Sequence, residues 1–238
     1  TILNNLSPND MGKLEVGPVQ KVLYDARDIP TIRHPYGLTP LNYAAAGLKR
    51  IIALAYFVVW SWKSHEELAV LTDNSVQRKM VVFIDEIEAH LHPKWQRMIL
   101  PSLLGVDKLL SDQLEMQVFV TTHSPLVMAS AESLFDYDKD KLFHLYAANS
   151  YNSVNINLDE VVFEMRGSID NWLTSEIFEL GMARSLSGEE YIKQANEMMS
   201  SKRPDESKIL FIHKNLKLVL PDHDKFWPKW LYFIEKQG

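Results

Sequence analysis

The chain has 238 residues, of which 46% are hydrophobic and 24% are charged, and it contains no cysteine. This composition is typical of a globular protein with a buried core, and it excludes a collagen-like or intrinsically disordered chain. The absence of cysteine also excludes a disulfide scaffold, a thiolate zinc site and a cysteine nucleophile. The formal net charge of -6 disfavours nonspecific binding to nucleic acid, unless a local basic patch overrides it.

No segment of the sequence is suited to a membrane. The longest apolar run, Ile51 to Trp60, is far shorter than the roughly 20 residues that a membrane-spanning helix needs. No charged segment followed by an apolar one opens the chain, as a signal peptide would require. We therefore expect a cytoplasmic protein. The chain starts at Thr1 rather than at methionine, and we expect it to be part of a longer protein.

The first half of the chain predicts an α/β structure. Residues 1–40 are rich in proline and are predicted to be a loop-rich lead-in, the remnant of an N-terminal lobe or of an insertion. A long helix is predicted from Asn42, as its N-cap, to about Leu71. Because apolar residues surround this helix for several turns, we expect it to be buried on most sides.

Two short apolar runs follow the long helix. Met80 to Ile84 and Gln117 to Thr121 are each predicted to be strands that are buried on both faces. Pro93 suits the first turn of a helix between them. Strand, helical crossover and strand predict a parallel pair. Both strands would then end at one sheet edge, where open α/β sheets bind ligands.

The last third of the chain is predicted to be mostly helical. Leu142 to Tyr146 and Val154 to Asn157 indicate two more short strands, and helices are expected from residue 169 onward. Ser187 and Glu190 match a capping box that opens one of them. The aromatic residues of a C-terminal helix, 224–235, are predicted to be core, with a partner-binding surface as the alternative. We therefore divide the chain into 1–40, an α/β lobe at 41–165 and a helical region at 166–238.

Acidic residues directly follow the first predicted strand. Asp85 and Glu86 come after four apolar residues, a pattern typical of a Walker B motif. The first carboxylate can hold Mg²⁺ through water, and the second can orient or deprotonate an attacking water. His123 follows the next strand and could contact the γ-phosphate of a nucleotide. The alternatives are a solvated acidic turn and a histidine hydrogen-bonded in a turn.

Residues 84–93 and 121–125 resemble the C-terminal half of an ABC-type ATPase head. More narrowly, they are similar to the SMC-like AAA ATPases of bacterial anti-phage systems and OLD-type nucleases. The resemblance implies a P-loop NTPase fold, in which this chain supplies an ABC-ATPase-like C-terminal lobe. It implies that Asp85 binds magnesium, that Glu86 is the catalytic base and that His123 is the switch histidine. Glu88 and His90 would lie in the D-loop, which touches the opposite subunit.

Residues 44–50 resemble the signature motif of the same family in their spacing. Gly47, Lys49 and Arg50 match it, whereas Ala45 stands where the family has a serine that contacts phosphate. The N–H groups of the helix start at Ala45, Ala46 and Gly47 still favour an anion. The resemblance implies that this element binds ATP held by the other subunit, with less efficient hydrolysis because of Ala45. A glycine-containing helix start is the alternative.

A phosphate loop of the form Gly-x-x-x-x-Gly-Lys-Ser/Thr does not occur in the sequence. ATP hydrolysis is therefore expected only with a phosphate-loop lobe from another segment or chain. Residues 167–176 and 221–230 resemble PtuA-type ATPases of Septu and retron systems, which occur beside an HNH-type nuclease. The resemblance implies ATP and Mg²⁺ as cofactors, a homodimer formed through the signature and the D-loop, and slow hydrolysis that gates the nuclease. DNA or a retron reverse transcriptase–nucleic acid complex is a further candidate partner.

Two other functions remain open from the sequence. The first is a nucleic-acid-binding or scaffold module that keeps the fold without efficient turnover. The second is an OLD-type nuclease, for which Asp136, Asp138 and Asp140 would be the metal ligands, although a solvated loop is the expected role of these residues. His90 and His92 could ligate a metal, but a D-loop contact or a helix start is the preferred interpretation.

Overall fold

The computed structural model describes residues 2–7, 12–150, 153–201 and 203–236. The chain forms two compact units, residues 1–172 and 173–238, and each unit has its own hydrophobic core. The division of the sequence into three parts stays a prediction. Among the described helices, none combines the length and the hydropathy that crossing a bilayer requires.

The first unit begins with a short helix and five short strands, which are α1 (Ile2–Asn5), β1 (Glu15–Val16), β2 (Gln20–Val22), β3 (Asp25–Ile29), β4 (Thr31–His34) and β5 (Gly37–Pro40). Strands β1, β4 and β5 form one antiparallel sheet, and β2 and β3 form another. Residues 12–40 thus contain more regular structure than the predicted lead-in, because antiparallel strands need only short turns between them. Residues 1 and 8–11 of that lead-in lie outside the described residues.

Helix α2 (Ala46–Leu71) starts later than the sequence predicts. Leu41–Tyr43 form a 3-10 turn, and Ala44 and Ala45 are extended, with ψ angles of 149° and 148°. The prediction of Asn42 as the N-cap is therefore wrong, since the cap position falls on Ala45, which makes no side-chain hydrogen bond. The backbone N–H groups of the first turn consequently have no capping side chain.

One side of α2 is buried and the other is exposed. The buried side packs into the core of the first unit through Leu48, Ile51, Ala55, Val58 and Trp62. The opposite side carries large aromatic residues, and Tyr56, Phe57 and Trp60 are 58%, 59% and 54% exposed. The prediction of burial on most sides is thus wrong within the described structure, because the unit covers only one face of this helix.

The central element of the first unit is a parallel pair of strands, β6 (Lys79–Ile84) and β7 (Glu115–Val120). They are joined by α3 (Pro93–Leu104) and α4 (Val106–Leu110), with Pro93 at the start of α3. The predicted strand, crossover and parallel strand are confirmed. Ile84 lies opposite Val120, so the two strands end at the same level.

Only one face of this parallel pair is covered. Met80, Ile84 and Met116 contribute to the core, whereas the other face shows Phe83 at 75% exposure and Phe119 at 46%. The rings of these two phenylalanines stack, with centroids 4.7 Å apart. The prediction of strands buried on both faces is therefore wrong for the described residues, because the helices that follow and precede the strands pack on one face.

The first unit ends with α5 (Pro125–Ala131), an antiparallel hairpin and most of α6 (Ile169–Leu173). The hairpin strands β8 (Leu142–Ser150) and β9 (Ser153–Val161) confirm the two predicted short strands and extend them. The second unit contains α7 (Leu186–Ser200), α8 (Glu206–Val219) and α9 (Trp227–Glu235).

Helix α8 begins at Glu206 as the sequence predicts, whereas α7 and α9 begin at somewhat different residues. Ser185, rather than Ser187, caps α7 by accepting a hydrogen bond from the Gly188 N–H at 3.1 Å. Trp227 and Trp230 are 8% and 0% exposed. The core role predicted for the C-terminal aromatic residues is confirmed for these two tryptophans.

A carboxylate fixes the segment that leads into α6. Glu132 Oε1 accepts hydrogen bonds from the N–H groups of Arg166 at 2.7 Å and Gly167 at 3.0 Å, and from Trp172 Nε1 at 2.7 Å. Burial acts to raise the pKa of Glu132, but the hydrogen bonds from Gly167, Arg166 and Trp172 outweigh it and hold the pKa below its usual value. The fold therefore favours the ionised form of this side chain.

This balance predicts a pH-dependent contribution to stability. A lowered pKa in the folded state means that the stabilisation is complete above the unfolded-state pKa and is lost as the pH falls through the folded-state pKa. We expect Glu132→Gln, which keeps an acceptor oxygen but loses the charge, to lower the free energy of unfolding at pH 7 by about 1 kcal/mol. The difference should shrink below about pH 4.

Urea unfolding followed by tryptophan fluorescence over a pH series measures this effect. Glu67→Gln, at an exposed position on α2, is the matched control and should leave the pH profile unchanged. A Glu132→Gln profile parallel to that of the wild type at all pH values would contradict the assignment.

Candidate active site

The candidate site lies where β6 and β7 end. The Thr121 N–H donates to the Ile84 carbonyl at 3.0 Å, and the Ile87 N–H donates to the Thr121 carbonyl at 3.1 Å. Two loops therefore lie side by side at this sheet edge, and we call them the acidic loop (residues 85–91) and the histidine loop (residues 121–124). The parallel register brings together residues that are more than thirty positions apart in the chain.

Thr121 connects the two loops through its side chain. Its hydroxyl donates to Asp85 Oδ1 at 2.5 Å and accepts from the Glu86 N–H at 2.8 Å. Glu86 has a φ angle of +46°, which is uncommon for a residue other than glycine. Thr121 thus holds the backbone that presents both acids, and the side chains of Asp85 and Glu86 are exposed.

Arg50 holds the acidic loop from the other direction. This residue of α2 donates from Nη2 to the carbonyl of Asp85 at 2.8 Å and to that of Glu86 at 3.3 Å. The sequence predicted no role for Arg50 beyond its match to the signature spacing. The structure shows that it fixes the backbone that carries the two acids.

The histidine loop is attached to the acidic loop by Glu88. This carboxylate accepts from Thr122 Oγ1 at 2.6 Å and from the His123 N–H at 2.6 Å. The side chain of His123 is exposed. Asp85, Glu86 and His123, which the sequence places at the sheet edge, thus lie together with Glu88 on two hydrogen-bonded loops, and their chemical roles stay predictions.

Several residues of the segment 44–50, which resembles a signature motif, line a cavity beside the start of α2. Its volume is about 610 Å³, and Ala45, Gly47 and His90 contribute to its wall together with His34 and Tyr36 from the β4–β5 hairpin. Ala46 is exposed at the first position of α2. Lys49 does not line the cavity, because its Nζ donates to the Asn42 carbonyl at 2.8 Å.

The hairpin residues of this cavity were not found from the sequence. His34 Nε2 lies 2.8 Å from Thr39 Oγ1, and the His34 ring lies 4.7 Å from that of Tyr36. These residues belong to the segment that was expected to be mainly loop. Neither a motif nor a periodic pattern in that short segment indicates that its aromatic residues would meet the start of α2.

Gly47 is required by a close approach rather than by its backbone conformation. A Cβ atom at this position would lie 2.8 Å from the carbonyl oxygen of His90 and 3.3 Å from the ring of Trp95. His90 has a φ angle of +63°. The first turn of α2 therefore packs directly against the backbone of the acidic loop.

The site can hold magnesium only together with another ligand. Within the described residues, no group of three or more histidine, aspartate or glutamate side chains could bind a metal ion. Asp85 Oδ1 is used by Thr121, which leaves Oδ2 for a cation or its bound water. This arrangement fits Mg²⁺, which proteins usually bind through one or two carboxylates, water and the phosphates of a substrate.

The other candidate metal ligands have structural roles. His92 Nδ1 accepts from the Lys94 N–H at 3.3 Å and caps α3, which confirms its predicted helix-start role. Asp136 and Asp140 bond within their own turn, in which Asp140 Oδ2 accepts from the Asp136 N–H at 2.8 Å. Asp136 also pairs with Lys139. The interpretation of residues 136–140 as a solvated loop is thus supported over a nuclease metal site.

Comparison with known proteins finds a similarity that covers the candidate residues. Residues 37–128 match the AAA ATPase domain family, and this range contains all of the residues predicted to act on the nucleotide, the metal or the reaction. The α/β structure with a parallel strand pair and flanking helices is consistent with an AAA ATPase.

Two curated relatives are probable ATPases of retrons. The chain is 30% identical over 137 residues to the retron Ec83 probable ATPase of Escherichia coli, which corresponds to 56% of this chain and 20% of that protein. It is 41% identical over 61 residues to the retron Vc95 probable ATPase of Vibrio cholerae serotype O1 biovar El Tor, or 26% of this chain and 11% of that protein. The aligned region is therefore a fifth or less of each relative.

The contact between Gly47 and the acidic loop can be tested by Gly47→Ala. The new methyl group would meet the His90 carbonyl at 2.8 Å, so the loop or the helix must shift. We expect a loss of about 1–3 kcal/mol in the free energy of unfolding, as for other overpacking substitutions. Gly105→Ala is the matched control, because its Cβ would have only ordinary contacts at 3.8 Å or more. Equal stability of both variants in urea unfolding would show that the close approach at Gly47 does not constrain this residue.

Proposed function

We propose that this chain is the C-terminal part of an SMC-like, ABC-type ATPase that binds ATP and Mg²⁺ at a dimer interface and hydrolyses ATP slowly. The observation that supports this most directly is the hydrogen-bonded pair of loops that carries Asp85, Glu86 and His123 at the carboxyl end of two parallel strands. Similarity to AAA ATPase domains over the same residues and to retron probable ATPases agrees with it.

Each residue has a defined task in the proposed reaction. Asp85 holds the cation, which neutralises charge on the phosphates when it is bound. Glu86 accepts a proton from water as the water oxygen attacks the γ-phosphorus, and the bond from that phosphorus to the bridging oxygen of ADP breaks. His123 contacts the γ-phosphate. The products are ADP and inorganic phosphate, and the proton stays on Glu86 until it is released.

The proposed enzyme needs a phosphate-loop lobe, which another segment or chain would supply. Two exposed apolar surfaces support this part of the proposal, namely the outer face of the parallel pair, with Phe83 and Phe119, and the outer side of α2, with Tyr56 and Trp60. Parallel sheets are normally covered on both faces. Among the described strands, β6 and β7 pair only with each other, so both outer edges can accept further strands.

The cavity beside Ala45 and Gly47 is proposed to face ATP that the other subunit holds. The uncapped first turn of α2 provides backbone N–H groups and the positive end of the helix dipole, both of which favour an anion. In this proposal His90 contributes to the same face through the D-loop. The homodimer would thus form through the signature and the D-loop.

We further propose that the ATPase works in anti-phage defence and gates an effector nuclease of the HNH type. The retron relatives and the resemblance of the tail to PtuA-type ATPases of Septu systems support this assignment. DNA or a retron reverse transcriptase–nucleic acid complex is proposed as a further partner. The proposed location is the cytoplasm.

Glu86→Gln in the complete gene product tests the catalytic role. We expect ATP turnover to fall by about 10²-fold or more, the usual contribution of a general base, while ATP binding is retained. Glu115→Gln is the matched control, because this exposed glutamate lies at the opposite end of β7 and pairs with Lys79. Wild-type turnover in Glu86→Gln would remove Glu86 from the role of base.

The dimer is tested by measuring molar mass in solution with and without ATP and Mg²⁺. The Glu86→Gln protein should convert from monomer to dimer with ATP and stay dimeric, because hydrolysis no longer releases the two subunits. Asp85→Asn should require more Mg²⁺ for the same conversion. A mass that ATP does not change in the Glu86→Gln protein would exclude an ATP-dependent dimer.

A second candidate function is an ATPase-like scaffold or nucleic-acid-binding module without efficient turnover. Ala45 favours it, since this cap residue has no hydroxyl group with which to contact phosphate. Calorimetric titration of the complete gene product with ATP, together with a turnover assay, separates the two functions. Tight binding with no turnover in the wild type would support the scaffold.

A further inference from the structure

Glu88 uses both of its carboxylate oxygens within the chain. Oε2 accepts from the Thr122 hydroxyl and Oε1 accepts from the His123 N–H, each at 2.6 Å. The side chain is half-buried. Hydrogen bonds of an ionised carboxylate are stronger than neutral ones, so these two bonds are well suited to fix one loop relative to the other.

The connection continues around the histidine loop and returns to the acidic loop. Thr122 Oγ1 accepts from the Ser124 N–H at 3.0 Å, and Ser124 Oγ donates to Gln96 Oε1 at 2.7 Å. Gln96 Nε2 then donates to the Leu91 carbonyl at 2.9 Å. The acidic loop is thus bonded at Glu88 and at Leu91 to a network that contains the backbone of His123.

This network fixes the backbone of His123 but leaves its imidazole accessible. The N–H of His123 is held by Glu88, and Ser124, the next residue, is 5% exposed and caps α5. The His123 side chain is exposed. Its position is therefore set by the loops rather than by contacts of the ring itself.

The structure assigns Glu88 as a positioning residue that sets the location of His123 and couples it to the acidic loop. A contact that displaces the acidic loop, such as one from a second subunit, would move His123 through this carboxylate. The inference deepens the proposed function and rests on it for the role of His123 in ATP hydrolysis. It differs from a direct contact of Glu88 with nucleotide, because Glu88 acts here through its bonds to Thr122 and His123.

We call the two hydrogen bonds that Glu88 accepts from Thr122 and His123 the clamp. Amide hydrogen exchange in Glu88→Gln tests the clamp in the absence of nucleotide. A glutamine has no charged oxygen, and its NH2 group cannot accept the Thr122 O–H, so the charge-assisted pair of bonds is lost. We expect the His123 amide to exchange at least about tenfold faster than in the wild type, with the amides of β6 and β7 unchanged. Glu115→Gln is again the matched control. An unchanged exchange rate in folded Glu88→Gln protein would overturn the assignment.

Thr122→Val provides a second variant, should Glu88→Gln fail to fold. It removes the hydroxyl that donates to Oε2 and accepts from the Ser124 N–H, in a side chain of nearly the same shape. We expect faster exchange of the His123 amide here as well. Wild-type exchange in this variant would also overturn the clamp.

A double-mutant cycle in the complete gene product tests whether Glu88 acts through His123. We expect Glu88→Gln to lower kcat by about tenfold in the wild-type background and by less than about twofold in the His123→Ala background, since residues that act as a unit are not additive. Equal effects in both backgrounds would overturn the coupling. Absence of ATP turnover in the wild-type protein would contradict the proposed function. The exchange experiment would still show whether Glu88 holds the backbone of His123.

Discussion

The parallel, in-register pairing of β6 and β7 is the constraint on which the candidate site depends. Since Ile84 lies opposite Val120, the chain leaves the sheet at the same level from both strands. The two loops can then exchange hydrogen bonds over a few residues, and Thr121 does so with both Asp85 and Glu86. A shift of one residue in this register would turn every side chain of one strand to the other face and would separate these partners.

Around this edge, the loops that carry the candidate side chains are held by residues that have no proposed role in the reaction. Arg50 donates to the carbonyl groups of Asp85 and Glu86 in the acidic loop. Gly47 allows the acidic loop to approach α2. The acids themselves stay exposed. This division suits a site whose ligand arrives from outside the unit, because the backbone is ordered in advance while the side chains remain accessible.

The exposed aromatic surfaces relate the fold to the proposed assembly. Phe83 and Phe119 stack on the open face of the sheet, and Tyr56 and Trp60 line the open side of α2. Large apolar patches on a protein surface are usually covered by another surface. In the proposed ATPase, a phosphate-loop lobe would cover part of them and would provide the phosphate-binding loop that this sequence does not contain.

Much of the first unit could be predicted because its signals are local. The apolar run before Asp85, the proline at the start of α3 and the motif around His123 are each read from a few neighbouring residues, and the structure has the two strands in parallel. The errors occur where the outcome depends on distant residues. Asn42 is a good N-cap by type, but the extended backbone of Ala44 and Ala45 places the helix start at Ala46. Ser187 likewise lies inside the first turn of α7, so the capping position falls on Ser185.

The sequence by itself determined which chemistry this protein can offer, because the carboxylates and the imidazole stand directly after strands whose type and direction follow from short patterns. It also shows that these 238 residues contain no phosphate loop, since that loop is a contiguous motif that can be searched for. Only the tertiary structure decided how these groups are held. The bonds from Glu88 to Thr122 and His123 join residues about 35 positions apart, and a hydrogen bond over such a separation depends on the strand register and the loop geometry, not on any local pattern. The same holds for burial, because which side of α2 and of the sheet is covered depends on where the other elements pack.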